Sequence, residues 1–148
     1  VEGDAASGLL VVVDHASNYV PPDIDLGIGS NLMDRHIAFD PGAAAVALAL
    51  CRHFRCPAVM GTVSRLVIDL HREEDSSALI PEVSDGHAIP GNARLGQDER
   101  QARIERFWRP YHQALAERIA RDRPRLLVAV HSFTPMLETR PTEKRPWE

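Results

Sequence analysis

Unbroken apolar runs alternate along this chain with stretches of helical period. Residues 9–14 run apolar until Asp14, the pattern of a strand covered on both faces, as in a parallel sheet. A loop follows, punctuated by Pro21, Pro22, Gly27 and Gly29. FDPGAAAVALALCRHF (39–54) predicts a helix, with Asp40 as cap and Pro41 at the first helical position. PAVMGTVS (57–64) and RLVIDL (65–70) predict two short strands, bent near Ser64. Residues 71–96 show no period, and an irregular stretch of that length in a compact domain is more often functional than idle. From Asp98 the helical stripe returns through Ile104, Trp108, Tyr111, Leu115 and Ile119, with Pro110 expected to kink it. Residues 126–130 form a last strand, which ends on His131.

Strands alternating with helices predict an α/β fold, a mostly parallel or mixed sheet flanked by helices. Ligands of such sheets bind beyond the carboxyl ends of the strands. Two apolar runs stop at a histidine soon followed by a serine, VVVDHAS (11–17) and VAVHSF (128–133). Parallel strands would bring His15 and His131 out on one rim.

Composition narrows the picture without redirecting it. The 148 residues suffice for one compact domain, 1–148, with no internal repeat. A net charge of −4 without a basic block argues against a dedicated nucleic-acid binder. No apolar run reaches the ~18–20 residues of a membrane span, and the start lacks the layout of a signal peptide. Cys51 and Cys56 in CRHFRC have no second pair to complete a zinc clip, and they read as half-buried thiols of a reduced cytoplasmic protein.

Imidazole is the commonest side-chain zinc ligand, and a catalytic zinc usually keeps three protein ligands and one open position. His15 and His131 plus one oxygen donor, from among Asp14, Asn18 and Asp40, would meet that need. Alternatively, each histidine satisfies backbone groups at a strand end. A serine hydrolase built on Ser17 or Ser132 is disfavoured, because no Gly-x-Ser-x-Gly elbow exists. SRLVIDLHR (64–72) sets Arg65, Asp69 and Arg72 around one strand. A guanidinium there can hold a carboxylate bidentately, and Asp69 can orient that arginine or a ligating imidazole.

Six segments, in order, resemble the N-formylglutamate amidohydrolases. They are VVVDHASNYVP (11–21), RHIAFDPGAAAVA (35–47), SRLVIDLHR (64–72), SALIPEVSDGHAIPGN (77–92), FWRPYHQAL (107–115) and VAVHSFTP (128–135). The resemblance covers residues 9–135 and implies a fold related to the zinc-dependent exopeptidases and aminoacylases. It implies a cytoplasmic, zinc-dependent enzyme of histidine catabolism that hydrolyses the N-formyl or N-acyl amide of an acidic amino acid. His15 and His131 then match the metal histidines, and Asn18 or Asp40 takes the place of the oxygen ligand. Arg72 matches the arginine that holds the substrate carboxylate, with Arg65, Asp69, His71 and Ser84 around it. His71 departs from the usual asparagine of that signature.

Members of the family run on for roughly a hundred residues more, to a C-terminal acidic motif, so the resemblance implies that this chain is incomplete at its C-terminus. Within it, Glu82 is the candidate to carry the proton from water to the leaving amine. The implied partner is a small N-acyl amino acid, with neither nucleic acid nor membrane, and the oligomeric state is not legible. Two alternatives stand beside this reading: a non-catalytic carboxylate-binding module, and a zinc amidase acting on peptide or cell-wall amides.

Overall fold

A computed structural model describes residues 1–143. Its centre is a three-stranded parallel sheet in the order β2-β1-β5, where β1 is Leu9–Val13, β2 is Ala58–Met60 and β5 is Leu126–Ala129. The register pairs Val12 of β1 with Val59 on one side and with Ala129 on the other. The expected α/β architecture is therefore present, as a small parallel sheet flanked by helices.

Period-two alternation sorts β1 between two cores. Leu10 and Val12 pack with Val67, Ile68, Leu79, Ile104 and Tyr111. Val11 and Val13 pack on the other face against Ala43, Ala47 and Cys51 of α2 (Ala43–Phe54). Small residues along that helix let it lie close to the strand. Cys51 and Cys56 are free thiols and more deeply buried than the half-buried pair expected.

Two expectations are corrected, and two further elements are sharpened. The first concerns α2, which begins at Ala43 behind Gly42 at φ 83° rather than at Asp40. Asp40 gives only its carbonyl to the Ala43 N–H, because its carboxylate is bound elsewhere, to Arg65 and His131. The second concerns residues 65–70, which are not a strand. Leu66, Val67 and Ile68 are wholly buried in a turn-rich segment that enters no ladder. A buried segment of this kind needs other partners for its carbonyls. Asn92 Nδ2 donates to Leu66 O at 2.8 Å, and the buried Arg103 donates to Val67 O at 3.0 Å. Apolar content alone cannot distinguish such a side-chain-satisfied segment from a strand.

Next is the helix around Pro110. The helical region runs from α4 (Gln97–Arg103) through one π turn (Ile104–Trp108) into α5 (Arg109–Asp122). The Arg109 N–H reaches back five residues to Ile104 O, so the helix changes its hydrogen-bonding pattern just before the proline. β5 differs from β1: Leu126 is 55% and Leu127 43% exposed, and among the described residues β5 is an edge strand.

Smaller elements complete the chain. They are α1 (Ser30–Met33), the antiparallel hairpin β3 (Val83–Ser84) and β4 (His87–Ala88), and α3 (Pro90–Ala93). Asp85 and Gly86 turn the hairpin with φ of 43° and 84°, the geometry for which Asp-Gly is favoured. No described helix is long and apolar enough to cross a membrane.

Candidate active site

Both histidine-ended strands run the same way, so their carboxyl ends meet. His15 and His131 have ring centroids 5.6 Å apart, and His71 stands 6.0 Å from the first and 5.0 Å from the second. They line a cleft of ≈ 340 Å³ with Asp40, Arg65, Asp69 and Arg72. The crossing is tight: a Cβ on Gly61 would stand 2.1 Å from the Asp14 carbonyl oxygen, so only glycine lets the chain leave β2 past β1.

His15 is 4% exposed. Its Nε2 donates to Asp69 Oδ1 at 2.6 Å, which leaves Nδ1 as the acceptor facing the cleft. Arg65 Nη2 donates both to that Nδ1 and to Asp40 Oδ1. Asp40 Oδ2 accepts from His131 Nδ1 at 2.9 Å and lies 3.6 Å from His15 Nδ1. Burial opposes the Asp40 charge, but the neighbouring His15, the Arg65 guanidinium and the bond from His131 outweigh it and hold the carboxyl at about 2. Burial likewise disfavours a charged His15, and the nearby Asp40 and Asp69 carboxylates reverse that and raise its pKa.

A second layer of contacts joins β1 to α5. Asp14, also buried, accepts from Tyr111 Oη at 2.5 Å and from His71 Nδ1 at 2.8 Å. Burial and the neighbouring Asp14 push the Tyr111 hydroxyl far above its ordinary range, so it stays a donor. α5 and the π turn before it also hold residues 70–72 in place, because His112 Nε2 lies 3.1 Å from Leu70 O and Trp108 Nε1 donates to Arg72 O at 2.9 Å.

Of the residues expected at the site, His15, His131, Asp40, Arg65, Asp69, His71 and Arg72 are brought together. Arg72 is mostly exposed, with its Nε 3.8 Å from Asp69. Ser84 lies in an adjoining cavity of ≈ 300 Å³ that shares Asp40, Arg65 and Ser132 with the cleft. The segment after β5 closes that cavity: Asp85 accepts from the Glu138 and Thr139 N–H groups at 2.9 and 3.1 Å. Asn18 is drawn away, its amide bonding Met33 O at 3.0 Å and Asp34 at 3.2 Å. Glu82 is exposed before the hairpin and lines neither cavity. The sequence reading missed Tyr111, whose place on an apolar stripe marked it as core, and named Asp14 only as one of three candidate oxygen donors.

Two groups of donors could hold a metal ion. His15, Asp40 and His131 form one, and Asp14, His71 and His131 the other, with the donor atoms of each group within 4.8 Å of one another. The residues of the first suit a cation by chemistry: two imidazoles and a carboxylate are a usual zinc set, and a guanidinium already nests on two of them.

The family model of N-formylglutamate amidohydrolase matches residues 7–147 of the chain. Among solved structures, the crystal structure of a gene product of Agrobacterium tumefaciens superposes with a TM-score of 0.81 at 36% identity. The match covers 90% of this chain and 57% of that one, so this chain spans little more than half the length of its structural relative. Comparison with curated proteins gives no match.

Proposed function

Because the chain belongs to the N-formylglutamate amidohydrolase family, we propose that it serves the hydrolysis of the N-formyl amide of formylglutamate, or of a closely related N-acyl acidic amino acid. The products are formate and the free amino acid. The proposal takes residues 1–148 as one domain of a zinc-dependent cytoplasmic hydrolase, related in fold to the zinc exopeptidases and acting in histidine breakdown. The observation that carries it is the convergence of His15, Asp40 and His131 at the ends of β1 and β5.

These three residues would hold the cation. A zinc ion held there would supply Lewis acidity, toward a water molecule and an amide carbonyl. Asp69 fixes the His15 ring by taking its Nε2–H, which keeps Nδ1 an unprotonated acceptor that could ligate in place of its bond from Arg65. Arg65 and Arg72 present guanidinium groups along the cleft, where a substrate carboxylate can be gripped and its scissile bond positioned. His71 and Ser84 extend the polar walls on either side. Asn18 serves this arrangement indirectly, by fastening the loop after His15 to α1. For proton transfer the sequence offers Glu82, although its carboxylate lies outside the cleft; unchanged turnover by Glu82→Gln would retire it.

The test compares metal-free and zinc-loaded protein with N-formyl-L-glutamate, reading formate and metal content. Zinc binding with zinc-dependent formate release is expected. Absence of both sinks the reading. Zinc binding with substrate bound but uncleaved would make the chain a carboxylate-binding module, and turnover of peptide or cell-wall amides instead would move the substrate class.

A further inference from the structure

His131 carries a polar atom that the arrangement above leaves unused. Its Nδ1 faces Asp40, while its Nε2 is buried with no hydrogen-bond partner among the described residues. A buried ring nitrogen of this kind costs stability unless something meets it. What lies in front of it is a donor set. Asp14 Oδ2 is 3.6 Å from that Nε2 and 2.8 Å from His71 Nδ1, and the three residues' donor atoms all fall within 4.8 Å.

Resting on the metal reading proposed for His15 and Asp40, we propose that Asp14, His71 and His131 form a second divalent-cation site, adjoining the first and sharing His131 with it. Two imidazoles and one carboxylate again make a zinc-type set, with further positions left open. Asp14 is already oriented for the role, because Tyr111 holds its Oδ1 and leaves Oδ2 toward the two rings. His71 is more than half exposed, so this site is reached from solvent, whereas the first is reached past Arg65. Charge also favours it: Asp14, Asp40 and Asp69 outnumber the guanidinium groups of Arg65 and Arg72 around the three rings. With both sites filled, His131 ligates through its two nitrogens as an imidazolate, and its one ring proton leaves to solvent.

The experiment counts zinc. Metal-free protein is loaded with Zn²⁺ alone, desalted, and its bound equivalents are read by native mass spectrometry. The same is done for His71→Asn and His15→Gln. Asparagine at 71 can still donate to Asp14 and sits on an exposed position, so that variant retains the fold. Two equivalents in the parent and one in each variant is the expected result. One equivalent in both the parent and His71→Asn overturns the second site and leaves the first standing. One in the parent and none in His71→Asn also overturns it, by making His71 part of a single site. No zinc in any of the three removes the metal reading itself, and the inference with it.

Discussion

Leu10 and Leu127 face each other in the register of β1 and β5, yet Leu10 is wholly buried and Leu127 is 43% exposed. Two runs with the same apolar composition differ because β1 has neighbours on both sides and cores on both faces, whereas β5 is an edge. The same asymmetry reaches the histidines that follow. Both ring nitrogens of His15 are partnered, but among the described residues only one of His131 is. Strand-end position brought both rings to the cleft, and depth in the sheet decided how firmly each is held.

The sharpest way to break this comparison is to make one substitution on both partners. Leu10→Ala should cost about 2–5 kcal/mol in urea unfolding, the usual range for a cavity in a closed core. Leu127→Ala should cost about 0.5 kcal/mol, as at an exposed site. Equal losses would mean that β5 is covered in solution. Next comes the link from β1 to α5. Tyr111→Phe removes the donor to a buried carboxylate and should destabilise by about 1.5–3 kcal/mol, read by the same denaturation.

At the better-held histidine, Asp69→Asn should weaken zinc binding about 10–100-fold, as loss of an orienting carboxylate does elsewhere. A chelator competition measures it, and an unchanged affinity would show that His15 needs no orientation.

The smallest effect belongs to the segment beyond β5. Burial opposes the charge of Asp85, but the Thr139 N–H, the Thr139 hydroxyl and His36 outweigh it and hold the carboxyl below its ordinary value of 3.8. A folded pKa below the unfolded one stabilises fully above the unfolded value and fades as pH falls through the folded one. The thermal midpoint of the parent should therefore exceed that of Asp85→Asn at neutral pH, with the gap closing below about pH 4. Asparagine tolerates the positive φ at this turn, so the variant isolates the charge. A gap that is flat with pH would detach Asp85 from the stability of this segment.

Much of this molecule was legible from one-dimensional pattern. Continuous apolar runs marked β1 and β5, and the Ala/Leu stretch marked α2. The strand-end histidines marked the rim. These are local properties, or follow from the rule that parallel strands share a carboxyl edge. Residues 65–70 were misread because the partners of their carbonyls, Asn92 and Arg103, lie more than twenty residues away.

The sequence alone therefore determined the fold class, the apolar strands and the pairing of His15 with His131. Tertiary structure alone decided which carboxylates meet those rings. From the candidates the sequence offered, packing set Asp40 on His131 and Asp69 on His15, and drew Asn18 off to α1. It also joined Tyr111, 97 positions along the chain, to Asp14. Side-chain hydrogen bonds act over about 3 Å and carry no period along the chain, so only the packing of β1 against α5 and the 65–72 segment could select them.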